Sequence, residues 1–92
     1  MTNLSGLPPV SAIYHVLHQG RVVYVGQTIN LKERWRNHHI RHELHERYGN
    51  DWHVEWVEVS VLNLDRAEAY AYREFRPKLN KQNPSVSLGK TV

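Results

Sequence analysis

Two runs rich in β-branched and aromatic residues, Ser11 to His18 and Arg21 to Gly26, are separated by Gln19-Gly20 alone. A short connection containing glycine between two such runs signals a β-hairpin. An isolated hairpin is marginal in water, so the remainder of this 92-residue chain has to cover it. The chain holds no cysteine, which removes disulfides, thiolate zinc sites and cysteine nucleophiles from the options. Apolar packing in one small domain is what remains. No apolar run approaches the roughly 18 residues of a membrane span. No basic segment precedes an apolar stretch between Met1 and Pro9, so a cytoplasmic chain without signal peptide is expected.

The hairpin admits two registers. A two-residue loop at Gln19-Gly20 pairs Tyr14 with Val25 and sends Tyr14 and Tyr24 to opposite faces. A three-residue loop from His18 to Gly20, with Gly20 left-handed, pairs Tyr14 directly with Tyr24. Both strands carry apolar residues on both faces, and the pattern leaves both registers open.

Beyond Gly26 the spacing predicts a helix capped by Asn30, with Glu33 in capping-box position, running to about Tyr48. Leu31, Trp35, His38 and His42 share one face, which Ile40 and Leu44 widen. Gly49-Asn50-Asp51 ends it. Trp52 to Leu62 reads as a third strand, with slipped alternation at Trp56-Val57 suggesting a bulge. A second helix is expected from about Asp65 to Phe75, capped by Asp65 or Asn63 and stopped by Pro77. The order β-β-α-β-α is an α+β pattern: a small antiparallel sheet of about three strands with helices packed around it. Residues 1–10 read as a surface lead-in, 11–80 as the domain and 81–92 as a tail.

Twelve Lys and Arg against nine Asp and Glu give a net charge of +3, mildly favouring a polyanionic partner. Glu68 stands out because it falls in the apolar stripe of the second helix, with Leu64, Ala71, Tyr72 and Phe75. A carboxylate there needs a salt bridge, hydrogen bonds or a metal in exchange for its lost hydration. Arg34 leans to the inner side of the first helix, where a solvated arginine is the ordinary outcome. His42-Glu43-Leu44-His45 falls one residue short of the zinc-protease helix motif, which needs histidines at i and i+4. A histidine metal site would instead require His38 and His42 to converge with a further ligand.

In combination these residues resemble the GIY-YIG nuclease family. Ala12-Ile13-Tyr14 and, ten residues on, Tyr24-Val25-Gly26 resemble its two signature triplets. Arg34 follows Tyr24 by ten positions, as the family's arginine does. Glu68, with Pro77 nine and Asn80 twelve residues later in Pro77-Lys78-Leu79-Asn80, resembles its glutamate and terminal element. The resemblance spans about Ser11 to Asn80. Two departures stand out: Ala12 replaces a glycine, and Gln27 occupies a place where some members carry lysine.

The resemblance implies a metal-dependent DNA endonuclease. Glu68 would hold Mg²⁺ (or Mn²⁺), and Arg34 would bind the scissile phosphate. Tyr24, with Tyr14, would activate or orient water, a task for which an unperturbed phenol is a poor base unless metal and Arg34 favour the phenolate. His38 would be an auxiliary base or phosphate contact, with His39 second to it, and Asn80 would hold the site together beside Glu68. Both tyrosines would line one site, which selects the three-residue loop. Lys32, Arg36, Arg41, Arg76 and Lys78 would contact the backbone of DNA, with RNA left open, and such contacts orient without specifying sequence. Low sequence specificity or recognition of DNA structure follows, and double-strand cleavage would take a homodimer or two encounters. The contrasting reading is a non-catalytic nucleic-acid-binding module on the same fold.

Overall fold

The computed structural model describes residue 4 and residues 6–36 and 40–80. Strands β1 (Ala12–His18), β2 (Arg21–Thr28) and β3 (His53–Glu58) form an antiparallel sheet in the order β2-β1-β3. Helices α1 (Leu31–Arg36) and α2 (Ile40–Tyr48) stand where one long helix was expected, with residues 37–39 outside the described residues. A 3₁₀ turn at Val61–Asn63 leads into α3 (Leu64–Phe75). The expected α+β architecture is the one observed.

The two sheet faces bury different partners. Ala12, Tyr14 and Val16 pack with Leu31, Trp35, Ile40 and Leu44 of α1 and α2. Ile13 and Val25 pack with Leu64 and Ala71 of α3. β1 is central and needs apolar residues on both sides, which explains why its pattern alone did not choose a register.

The hairpin follows neither register throughout. Gln19 (φ 53°) and Gly20 (φ 80°) both adopt positive φ, forming a two-residue turn with His18 opposite Arg21. Leu17 pairs with Val22, but Val16 pairs with Tyr24, so Val23 is an extra residue in β2. From there Tyr14 lies opposite Gly26 rather than Tyr24. The three-residue loop is therefore corrected, while the bulge carries Tyr14 and Tyr24 to one face as diagonal neighbours. The bulge expected at Trp56-Val57 is absent: the ladder from Ala12↔Glu58 to Leu17↔His53 is unbroken. Trp56 and Val57 are 37% and 58% exposed, so no buried face forces alternation on this edge strand.

Asn30 caps α1, its Oδ1 accepting from the Glu33 amide at 3.1 Å. The capping box does not close, because the Asn30 N–H donates to Thr28 Oγ1 and the Glu33 carboxylate faces Arg36. The lead-in does more than cover surface: Leu7 is buried, and the Pro8 and Val10 carbonyls accept from the first amides of α1. At the other end Arg76 terminates α3 in a left-handed conformation (φ 44°), just before Pro77. The chain then returns to the open edge of β2. There Leu79 N–H donates to the Val23 carbonyl, and the Asn80 side chain exchanges two 2.9 Å hydrogen bonds with the backbone of Val25.

Candidate active site

Tyr14 is fully buried, its ring 6.3 Å from that of Tyr24 and edge-on to Trp35 at 5.3 Å. Gly26 lies directly across the ladder, and a Cβ built there would collide with the Tyr14 ring from Cε1 to the hydroxyl. The glycine of the second triplet is the floor on which the first tyrosine rests. From α1, Arg34 aims its guanidinium at this cluster, with Nε donating to the Tyr14 hydroxyl at 3.4 Å.

Glu68 approaches from α3, half-buried on the helix face turned toward the sheet. Among the described residues no cation lies within ion-pair distance, so the salt-bridge alternative does not hold. Instead Gln27 Nε2 donates to Glu68 Oε1 at 2.7 Å and also to Asp65 Oδ1 at 2.8 Å. Gln27 and Asp65 were not among the expected site residues. Strand alternation from Val25 already places Gln27 on the α3 side, and Asp65 and Glu68 share an i, i+3 face. Those two patterns were the available signal.

Burial dominates the local electrostatics. Desolvation pushes the Glu68 carboxyl upward, the Gln27 hydrogen bond opposes it, Asp65 adds to it and Arg34 opposes it. Desolvation likewise raises the Tyr24 phenol, against the pull of Arg34 and with the push of Glu68. Tyr14 is raised most plainly by burial, although the Arg34 hydrogen bond works against it. Arg34 therefore acts in the expected direction but does not outweigh burial, and both phenols are neutral near pH 7. For Arg34 itself burial disfavours the charge, yet the contact with Tyr14 and the nearby acidic groups outweigh it.

Tyr14, Tyr24, Arg34 and Glu68 thus interact within one cluster. Asn80 does not join Glu68; it clamps the strand that carries Tyr24. His38 and His39 lie outside the described residues. His42 is exposed and faces Glu46 at 3.2 Å, and no group of three or more metal-ligating side chains converges among the described residues. A carboxylate without a cationic partner, beside a second carboxylate, does suit a hard divalent ion that takes its remaining ligands from water and phosphate.

The basic residues are spread. Lys32 and Arg36 are exposed on α1, each two positions from Arg34 and so on another side of the helix. Arg41 donates to the carbonyls of Trp35 and Arg36, tying its guanidinium to the end of α1. Arg76 and Lys78 are exposed in the return to β2. Among the described residues no helix is long and apolar enough to cross a membrane.

The family model of the GIY-YIG catalytic domain matches residues 10–83. Among solved structures, the GIY-YIG N-terminal endonuclease domain of UvrC from Thermotoga maritima, bound to its catalytic divalent cation magnesium, superposes with a TM-score of 0.71 at 24% identity over 84% of this chain and 90% of that one. Two point-mutant forms of that domain, also bound to the cation, give TM-scores of 0.72 and 0.71 at 22% and 19% identity, each covering 86% of this chain and 91% of that one. At these identities the likeness is one of fold. No curated protein matches the chain.

Proposed function

The chain belongs to the GIY-YIG catalytic-domain family and is a nuclease domain; from that premise we propose that it nicks DNA with a divalent cation and little intrinsic choice of sequence. The observation that carries this reading is the meeting of Tyr14, Tyr24, Arg34 and Glu68, from four different elements, around one polar cluster. A non-catalytic binding module has no use for a packed tyrosine pair joined to an arginine and a glutamate that has no ion-pair partner among the described residues.

Glu68 would hold Mg²⁺ or Mn²⁺, which when bound supplies charge neutralisation at the scissile phosphate and the leaving oxygen. Arg34 keeps its charge and presents the donors not facing Tyr14 to a phosphate oxygen. Tyr24, neutral because of burial, orients the attacking water through its hydroxyl rather than acting as a resting phenolate. Tyr14 fixes Arg34, and Asn80 fixes the backbone beneath Tyr24. His38 is proposed as an auxiliary base or phosphate contact. We take residues 11–80 as the catalytic domain of a cytoplasmic protein.

The exposed Lys32, Arg36, Arg76 and Lys78 offer phosphate contacts without base readout, which supports nonspecific or structure-selective cleavage. Arg41 reaches DNA only by leaving its carbonyl partners. One site cuts one strand, so a double-strand break needs a homodimer or two encounters.

Incubation with supercoiled plasmid tests the reading. Wild type with Mg²⁺ is expected to give nicked circles, and chelator or Glu68→Ala is expected to abolish them. Salt-sensitive DNA binding without nicking by the wild type would overturn it in favour of a binding module. Branched and flapped duplexes, run beside linear duplex, test preference for DNA structure.

A further inference from the structure

Gln27 is a neutral side chain that joins two carboxylates of α3, Asp65 and Glu68. Its Nε2 carries two protons, and both are committed, to Glu68 Oε1 at 2.7 Å and Asp65 Oδ1 at 2.8 Å. The orientation of the amide is dictated by chemistry, since its carbonyl end would repel both acceptors. Glu68 Oε2 accepts no hydrogen bond among the described residues. Asp65, exposed in the first turn of α3, also forms no ion pair among them. Two acidic groups are thus held together without being neutralised.

We propose that Gln27 is a positioning residue for the divalent cation: it fixes Glu68 through one oxygen, leaves the other to the ion, and keeps Asp65 beside it as a second negative charge. The inference rests on the metal-binding reading of Glu68 given above. A lysine in place of Gln27 would also donate to both carboxylates, but it would cancel one of their charges and repel the incoming ion. The amide orients without that competition. Asp65 acts by charge, so its contribution belongs to the exposed, salt-screened kind, whereas that of Gln27 is geometric.

Mn²⁺ binding to the full chain, measured without DNA by the electron paramagnetic resonance of the free ion, separates these effects. Glu68→Gln is the reference for loss of the ligand. Gln27→Leu, which keeps bulk and removes the donor, is expected to weaken binding roughly tenfold at any salt concentration, as removal of supporting hydrogen bonds does at metal sites. Gln27→Lys is expected to weaken it by about the same factor at low salt through its charge. Asp65→Asn keeps an acceptor for Gln27 while removing the charge, and a several-fold loss that shrinks as salt rises is expected. Melting temperatures without metal serve as the folding control. Wild-type affinity in Gln27→Leu and Gln27→Lys, with binding still lost in Glu68→Gln, would overturn the inference alone. No Mn²⁺ binding by the wild type, or unaltered binding by Glu68→Gln, would overturn the metal reading and this inference together.

Discussion

Gly26→Ala tests the packing on which the tyrosine cluster stands. The added methyl meets the Tyr14 ring along its Cε1, Cζ and hydroxyl edge, so either the ring or the strand has to move. The ring has no room to do so: Tyr14 is fully buried, with Trp35 edge-on at 5.3 Å and Tyr24 at 6.3 Å. β2 is equally constrained, paired to β1 on one side and clamped by Asn80 at Val25 on the other. Overpacking a core costs about 1–3 kcal/mol where neighbours yield, and a rigid aromatic against backbone belongs at about 3 kcal/mol or above. For a domain of this size that lowers the melting temperature by roughly 12–24 °C, readable by circular dichroism. A double-mutant cycle isolates the collision. Tyr14→Ala alone is expected to cost about 3–5 kcal/mol, and Gly26→Ala in that background less than about 1 kcal/mol. Equal effects of Gly26→Ala in the two backgrounds would refute the reasoning, because the penalty would then arise from the backbone of Gly26 and not from the ring above it.

Asn80→Ala leaves both backbone groups of buried Val25 without their partner, at a cost of about 1–3 kcal/mol; faster hydrogen exchange at the Val25 amide is expected ahead of other β2 amides. Burial lowers the pKa of His15, so the unfolded chain takes up its proton first as pH falls below about 6.5 and the stability contributed at neutral pH is lost. His15→Gln is expected to flatten the pH dependence of the melting temperature between about pH 7 and 5, and an unchanged slope would count against it. Burial raises both Tyr14 and Tyr24, so their phenols are expected to ionise only above the usual tyrosine range of about pH 10. Absorbance at 295 nm should lose its most alkaline component in the Tyr14→Phe, Tyr24→Phe double variant.

The site was legible in the sequence where function depends on residue type at fixed spacing. Tyr14, Tyr24, Arg34 and Glu68 sit ten, ten and thirty-four positions apart, and the fold brings them together. Asn80 was legible as a residue that matters but not in what it does, because an open strand edge exists only once the strand order is known. The role of Gln27 is hidden in the sequence for the same kind of reason. Seen as a missing lysine it signified a deficit; set against Asp65 and Glu68 it is a donor with two acceptors.

The hairpin shows most clearly what a linear pattern cannot encode. Side chains alternate with a period of two, so the face on which a residue emerges depends on the parity of every pairing between it and the turn. A regular two-residue loop would place Tyr14 and Tyr24 on opposite faces, and a regular three-residue loop would place them opposite one another. Tyr14 would then lie across from Tyr24 and away from Gly26. The structure combines the tighter turn with one inserted residue, Val23, and so obtains a third arrangement in which both rings share a face and Tyr14 rests on glycine. Val23 is itself buried in the core under α1, and its carbonyl receives the Leu79 amide, so the insertion is tied down from two sides. Deleting Val23 should therefore do more than shorten a strand. The pairings on either side of it stay as they are, Leu17 with Val22, Val16 with Tyr24 and Tyr14 with Gly26, so both rings keep one face and nicking is expected to persist, while the buried Val23 side chain and the carbonyl that receives Leu79 are lost and the melting temperature falls. Nicking and the fluorescence coupling of the tyrosines to Trp35 should therefore survive in that variant at temperatures where it is folded, and their loss in a folded chain would show that the parity of the hairpin does not govern the site.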